Sequence, residues 1–259
     1  MRKNKTVQPI APEDRTSYIP IMNIYRFEDI YRDDTLNIFS DASTRNMYTA
    51  DGDIIGYTGH GAIAACKYNI INNIIRVHIG SSQVGELYAL RNALELAYYY
   101  KDYYATINIF SDSLYAVKSI TSYWFSWILE ENTYSKPNKT GKDKIVKHPD
   151  LIHEMLLLLY EIKLGHNLNI YHQSGHVDTS KVKMVERAAG TFSRFNNIPY
   201  LPDANFMCYI SSFNNLIDQM TRDFLFYKNP LEYSYRSPMV VKISEENDLW
   251  LRANTQNLL

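Results

Sequence analysis

The sequence predicts an α/β domain built on a mixed five-stranded sheet with helices on both faces. One apolar motif that ends in a polar residue occurs at 36–43 (LNIFSDAS) and at 107–114 (INIFSDSL), and half of it recurs at 168–173 (LNIYHQ). Near-continuous apolar runs of this kind are typical of strands that are covered on both faces. Two further strands follow the first one after short turns, which indicates an antiparallel meander. Helices that link parallel strands after such a meander give a mixed sheet.

The expected elements follow one another in a consistent order. We interpret residues 1–34 as an N-terminal extension with one short element near 21–31, because three prolines interrupt its pattern. A domain at 35–228 follows, and 229–259 form a C-terminal tail. Strands are expected at 36–41, 56–68, 70–79, 106–110 and 168–171, and helices at 81–100, 113–127, 150–164, 182–195 and 214–227.

Polar side chains follow three of the predicted strands. Asp41 and Asp112 come directly after buried runs, and the last run leads to a pair of histidines, His172 and His176. Reactive groups gather beyond the carboxyl ends of the parallel strands in such sheets. We therefore expect the two acids to lie close together.

Two more acids can reach the same point. Glu86 lies on the first long helix, and Asp218 is expected in the first turn of the last helix. Taken alone, Glu86 is better explained as a first-turn acid that interacts favourably with the helix dipole. Taken together, four carboxylates with no balancing arginine in these motifs favour hard cations bound by oxygen, Mg²⁺ or Mn²⁺.

Aromatic residues and then lysines follow the second predicted helix. The aromatic residues at 123–127 continue the helical segment, and residues 136–147 contain five lysines and one acid. On its own, this segment fits a solvated loop and a surface that binds nucleic-acid phosphates equally well.

Composition limits the cellular setting. The formal net charge is −1, so nucleic-acid binding must come from a local basic patch. Cys66 and Cys208 form neither a disulfide framework nor a metal-ligand spacing, which favours a reducing compartment. The N-terminus lacks the apolar core of a signal peptide, and the longest aliphatic run, 156–159, is too short to span a bilayer. We therefore expect a cytoplasmic protein without membrane contact, or a protein of the host cytoplasm or virion if the source is viral.

The order of the four acids, with the residues around them, resembles type 1 ribonuclease H. The resemblance covers about residues 36–225 and rests on six segments: IFSDAS, GHGAIA, SSQVGELYAL, FSDSLYAVKSITSYWFSW, SGH and NNLID. It implies a ribonuclease H-like fold and an endonuclease that cuts the RNA strand of RNA–DNA hybrids. The products would carry 5′-phosphate and 3′-hydroxyl ends.

The resemblance also implies a role for each matched residue. Two Mg²⁺ ions, for which Mn²⁺ can substitute, would be held by Asp41, Glu86, Asp112 and Asp218. One ion would activate a water molecule, while the other stabilises the leaving 3′-oxygen. His176 would assist proton transfer or product departure. The hybrid would be contacted by Ser81, Ser82 and Gln83 on its backbone, by Tyr123, Ser126 and Trp127 on the DNA strand, by the basic protrusion of Lys136, Lys139, Lys142 and Lys144, and by Asn214 at the start of the last helix.

Several positions depart from the pattern of that family. Ala42 stands where glycine usually follows the first acid, Leu114 where a polar contact residue is common, and Asn215 where an acid often occurs. An insertion at about 178–212, with its own helix, follows the histidine motif and bears on how freely His176 moves. None of these departures removes a metal ligand.

Two other functions stay open at this point. The same fold and metals serve DNA cleavage in resolvases and integrases, although an aromatic helix with a lysine-rich protrusion favours hybrid binding. Alternatively, the chain is a structural component of a larger assembly, such as a viral particle. In that case the terminal extensions and the insertion would contact protein partners.

Overall fold

The computed structural model describes residues 24–48, 51, 54–123, 128–130, 133–136, 144–145, 147–163 and 166–226. The strands within these residues are β1 (Thr35–Tyr48), β2 (Ile54–Cys66), β3 (Asn69–Ile79), β4 (Thr106–Ser111), β5 (Ile128–Glu130), β6 (Thr133–Lys136), β7 (Lys144–Ile145) and β8 (Asn167–His172). The helices are α1 (Phe27–Ile30), α2 (Ser82–Tyr100), α3 (Leu114–Thr121), α4 (Pro149–Lys163), α5 (Val182–Asn196) and α6 (Ala204–Phe226). The predicted tail at 229–259 and the extension before residue 24 lie outside the described residues.

The main sheet has the strand order β3-β2-β1-β4-β8, which confirms the predicted mixed five-stranded sheet. The first three strands form an antiparallel meander, and β4 is parallel to both β1 and β8. Buried side chains of α2, α3 and α4 pack on one face, and those of α1, α5 and α6 pack on the other. Both faces are therefore covered, as the apolar strand sequences require.

The three copies of the motif lie side by side in register on β1, β4 and β8. Their asparagines, Asn37, Asn108 and Asn169, form a buried row across the sheet, which we call the asparagine row. The amide of Asn169 donates to Asn108 Oδ1 at 3.0 Å, and the amide of Asn108 donates to Asn37 Oδ1 at 3.1 Å. These bonds satisfy amide groups that would otherwise cost free energy when buried.

A second row lies two residues further along the same strands. Phe39, Phe110 and Tyr171 stack across β1, β4 and β8, with ring centroids 5.2 and 5.5 Å apart. All three side chains are fully buried. This aromatic row is the centre of the core beneath α5 and α6.

A buried polar network holds α2 against the meander. Arg76 on β3 donates to Glu95 Oε2 at 2.7 Å, and Asn92 Nδ2 lies 3.0 Å from His60 Nδ1. Burial lowers the pKa of His60 to about 3, so this imidazole is neutral at physiological pH. The network fixes the helix that carries Glu86.

The last helix begins ten residues earlier than predicted, at Ala204 instead of residue 214. Asp203 Oδ1 accepts a hydrogen bond from the backbone N–H of Phe206 at 2.7 Å and so caps this earlier start. Asp218 therefore lies about four turns into α6, and its predicted place in the first turn is wrong.

The prediction of a helix up to residue 127 is also wrong. The helix α3 ends at Thr121, where Ser122 leaves helical geometry with a φ of −145°. The strands β5, β6 and β7 then form a small antiparallel sheet of their own, in which Lys136 pairs with Lys144.

Alanine substitutions at two helical glycines should change the stability of the protein in opposite directions. Gly190 lies inside α5, and apart from the neighbouring backbone of that helix no described heavy atom is within 4 Å of a Cβ added there. Gly190→Ala should raise the free energy of unfolding by about 0.5–1 kcal/mol, because alanine loses less conformational entropy in a helix. The matched control is Gly85→Ala on α2, whose Cβ would lie 2.2 Å from Thr58 Cγ2 and should destabilise. Urea denaturation measures both; a loss of stability in Gly190→Ala would contradict the prediction.

None of the helices within the described residues combines the length and apolarity that crossing a bilayer requires.

Candidate metal centre

Three of the predicted acids come together at one edge of the sheet. Asp41 lies on the central strand β1, Asp112 directly follows β4, and Glu86 projects from the first turns of α2. Each offers a carboxylate oxygen, and these three oxygens all lie within 4.8 Å of one another. Asp41 and Asp112 occupy the same position of the repeated motif, two residues beyond the aromatic row, so the repeat itself places them beside each other.

Two of the three carboxylates each have a buried oxygen that no hydrogen bond from a described residue satisfies. Asp41 Oδ1 accepts from the backbone N–H of Ala42 at 2.6 Å, but Asp41 Oδ2 and Glu86 Oε2 are buried with no partner among the described residues. Burial, followed by the charge of Asp112, raises the pKa of Asp41 to about 8. The same two causes raise the pKa of Glu86, and burial raises that of Asp112.

This donor set fits a divalent cation bound by oxygen. Carboxylates that approach each other in a buried site repel unless a proton or a cation neutralises them. Mg²⁺ and Mn²⁺ prefer oxygen ligands, and the two unpartnered oxygens of Asp41 and Glu86 supply them.

Without metal, the stability of the protein should fall as the pH rises. The folded-state pKa of Asp41, about 8, lies above the ordinary value of 3.8, so the folded state keeps a proton that the unfolded chain releases. That contribution is complete below about pH 4 and is lost as the pH rises towards 8. Thermal unfolding in EDTA should show a lower midpoint at pH 8.5 than at pH 5.5, and Asp41→Asn should flatten this dependence. A midpoint that rises over this interval in EDTA would contradict the assignment.

The fourth predicted acid, Asp218, is outside the group of three whose oxygens converge, and it is ion-paired. Its charge is nevertheless one of the smaller causes that raise the pKa of Asp41, Glu86 and Asp112. Arg222, one turn further along α6, forms an ion pair with Asp218. His176 Nδ1 also lies 3.4 Å from Asp218 Oδ2. The motifs themselves contain no balancing arginine, but Arg222, four residues after the last motif, balances Asp218 in the structure. The sequence signal for this ion pair is an arginine four residues after the acid on a predicted helix.

The loop that carries His176 is attached closely to the site. Gly175 has no room for a side chain, because a Cβ there would lie 2.2 Å from Asp112 Oδ2. Asn215 on α6 donates to the carbonyl of Val177 at 3.0 Å, which fixes the residue after the histidine. The loop is thus held in place, while the His176 side chain itself is 71% exposed.

Asn214 and Gln173 extend the polar contacts of Asp112. Gln173 follows β8 as Asp112 follows β4, and its amide donates to Asn214 Oδ1 at 2.7 Å. The Asn214 amide in turn lies 3.5 Å from Asp112 Oδ2. The third motif thus presents Gln173 to the site, whereas His172, expected there with His176, pairs with Ser111 in the sheet.

The unusual residue Ala42 packs against the helix that carries Glu86. Its Cβ lies 3.2 Å from the position of a Cβ on Gly85, and Thr58 is closer still. Gly85 is absent from the predicted site residues, yet it allows α2 to approach β1 and β2 at this point.

Some of the residues predicted to contact the substrate lie within the described part of the chain, and others lie outside it. Ser81, Ser82 and Gln83 are exposed where α2 begins, beside Glu86, and Tyr123 is 41% exposed after α3. Lys136 and Lys144 lie on β6 and β7. Ser126, Trp127, Lys139 and Lys142 lie outside the described residues.

Comparison with known proteins gives one family and several related structures. The family model for RNase H matches residues 33–192, which includes the three clustered acids and ends before Asp218. A search of curated proteins finds no match.

Solved structures similar to this chain include RNase H domains. The PFV RNase H domain in solution is 17% identical, with a TM-score of 0.43, over 62% of this chain and 90% of that one. The foamy viral protease-reverse transcriptase in complex with RNA/DNA hybrid is 14% identical, with a TM-score of 0.44, over 76% of this chain and 23% of that one. This chain thus spans about a quarter of that longer protein.

A third similar structure is the N-terminal RNase H domain of rv2228c from Mycobacterium tuberculosis, solved as a fusion with maltose binding protein. It is 17% identical, with a TM-score of 0.35, over 63% of this chain and 96% of that one. Because the RNase H family model matches more than half of the residues, the chain belongs to the RNase H family and has the α/β fold of that family.

Proposed function

We propose that this chain is an endonuclease that hydrolyses the RNA strand of RNA–DNA hybrids with the help of two divalent metal ions. The observation that carries the proposal is the trio Asp41, Glu86 and Asp112, whose oxygens converge within 4.8 Å at the carboxyl edge of the parallel strands. Membership of a family of nucleases supports phosphodiester hydrolysis as the reaction. The products would carry 5′-phosphate and 3′-hydroxyl ends.

The residues of the site would have two roles, namely metal binding and proton transfer. Asp41 and Asp112, with Glu86, would hold Mg²⁺ or Mn²⁺, and Asp218 would complete the set of ligands for a second ion. When bound, two such ions supply an activated water and stabilise the leaving oxygen. The exposed His176, next to Asp218, would carry a proton or help the product to leave.

A direct comparison of cleavage identifies which nucleic acid is the substrate. The expected aromatic helix, which favoured hybrid over DNA, ends at Thr121, and Trp127 lies outside the described residues. Hybrid, double-stranded RNA and double-stranded DNA of one sequence should be incubated with the protein in Mg²⁺ and in Mn²⁺. We expect cutting of the RNA strand of the hybrid alone, because double-stranded DNA lacks the 2′-hydroxyl groups that the site would contact and double-stranded RNA lacks the DNA strand that it would hold. Cleavage of double-stranded DNA at a similar rate would favour the resolvase-like alternative and overturn the proposal.

Arg222 should weaken binding of the second ion, because its positive charge already compensates Asp218. Arg222→Gln should therefore lower the Mg²⁺ concentration for half-maximal cutting by about two- to fivefold, the range expected for a half-exposed ion pair. A Mg²⁺ titration of hybrid cleavage measures this. Arg32→Gln, which removes an exposed ion pair with Asp34, is the matched control and should leave the value unchanged. An unchanged or higher requirement in Arg222→Gln would contradict the competition.

A further inference from the structure

The helix α5 lies in the predicted insertion and has one strongly basic face. Lys183, Arg187 and Arg194 are all exposed, and with Gly190 they fall within about 60° of one another around the helix. The buried side chains of α5 lie on the opposite side and pack on the core, namely Val185, Ala188, Ala189 and Phe192. We call Lys183, Arg187 and Arg194 the basic stripe.

The basic stripe forms no ion pair with an acid among the described residues. Lys181, just before the helix, is by contrast paired with Asp178 at 2.9 Å. Cations that are exposed, aligned and unpaired leave a local positive potential on a chain whose formal net charge is −1.

The centre of the stripe is also open. Apart from the neighbouring backbone of α5, no described heavy atom lies within 4 Å of a Cβ placed on Gly190, so a rod-shaped partner can approach the helix closely. Lys183 and Arg194 are eleven residues apart, which corresponds to about 16 Å along the helix axis. A duplex carries about one phosphate per 3.4 Å on each strand, so this length can face several phosphates.

The end of α5 is attached beside the candidate metal centre. Asn196 accepts from the backbone N–H of His172 at 2.8 Å and donates to its carbonyl at 2.7 Å. The ring of His172 contacts that of Phe195, with centroids 5.0 Å apart, and the guanidinium of Arg194 lies 4.6 Å from the Phe195 ring centroid. His172 Nε2 in turn donates to the carbonyl of Asp112 at 3.1 Å. The Arg194 end of the stripe is therefore linked to Asp112 through Phe195 and His172.

We propose that the basic stripe of α5 binds the sugar–phosphate backbone of the duplex on which the metal centre acts, and so extends the substrate-binding surface. This inference rests on the proposed function, since the occupant is the hybrid that enters the site. Contacts of this kind carry no sequence information, so the stripe should contribute affinity and position without base preference.

The test uses the salt dependence of binding by the full chain. Both proteins compared carry Asp41→Asn, which prevents turnover, and one of them also carries Lys183→Gln, Arg187→Gln and Arg194→Gln. Their binding to hybrid is measured by fluorescence anisotropy between 50 and 200 mM KCl. The slope of log affinity against log salt should become shallower by about 2 to 3, near 0.9 for each phosphate that is no longer neutralised. The matched control removes three charges at the other edge of the sheet, by Arg32→Gln, Lys67→Gln and Lys101→Gln, and should keep the slope.

A second pair of variants tests the charge at the centre of the stripe. Gly190→Glu should weaken binding clearly more than Gly190→Gln, because both side chains enter the same space and differ in charge. Circular dichroism establishes that each variant is folded. If the original chain binds and cuts hybrid but the triple variant keeps its slope, the stripe does not contact the backbone and only this inference fails. If the original chain binds no hybrid, the proposed function and the inference both fail.

Discussion

Asp41→Asn should reduce hydrolysis of a labelled RNA–DNA hybrid by about a thousandfold or more. The substitution removes the charge of the central acid of the trio, and metal ions contribute several kcal/mol to the transition state, each 1.36 kcal/mol being worth about tenfold in rate. The asparagine can still accept the hydrogen bond from the backbone N–H of Ala42, so the local structure should be kept. The measurement is the rate of RNA-strand cleavage in saturating Mg²⁺.

The same variant should fold at least as well as the original chain when metal is absent. It replaces a buried carboxyl that repels Asp112 with a neutral group of the same size. Asp102→Asn is the matched control, because this acid is 70% exposed next to Lys101 and should leave cleavage unchanged. Full activity of folded Asp41→Asn would remove the basis for the proposed function.

Phe110→Ala should destabilise the protein by about 3–5 kcal/mol, the cost usually found for deleting a buried aromatic side chain. Phe110 is fully buried at the middle of the aromatic row, and its ring also approaches Phe192 on α5 and Phe206 on α6. The deletion thus leaves a cavity between the sheet and two helices. Chemical denaturation monitored by circular dichroism gives the change in free energy of unfolding.

Two variants make this result specific to the row. Tyr103→Ala removes an aromatic ring that is 77% exposed and should change stability by less than about 0.5 kcal/mol. Phe110→Leu keeps most of the volume and should cost clearly less than the alanine variant. Equal effects of Phe110→Ala and Tyr103→Ala would mean that the aromatic row does not organise the core.

The sheet and the three clustered acids could be predicted because one motif encodes both. Burial on two faces demands apolar strands, and a repeated strand ending in Asp41 or Asp112 places the two acids at the same height when the strands are parallel neighbours. Glu86 could be added because its helix must cover the sheet. Local sequence and topology agree at these positions, so little further information was needed.

Other features depend on contacts that no local pattern reveals. The early start of α6 depends on the cap at Asp203, which also accepts from the backbone N–H of Phe27, 176 residues away in sequence. The pairing of β6 with β7 brings together residues on either side of the segment 137–143. The restriction at Gly175 comes from Asp112, a residue at the end of another strand. Each of these is a tertiary contact that overrides local propensity.

The near-identity of β1, β4 and β8 has a consequence for how the chain folds. Exchanging β4 and β8 would preserve both the asparagine row and an aromatic row, so those rows discriminate poorly between correct and exchanged assemblies. The residues at the ends of the asparagine row do distinguish the correct strand order from the exchanged one. The Asn37 amide is bonded to the carbonyl of Ile30 at 2.8 Å, whereas Asn169 Oδ1 has no partner among the described residues. We therefore expect the correct order of β4 and β8 to be selected during folding by the contacts at the ends of the asparagine row and by the right-handed crossovers between parallel strands.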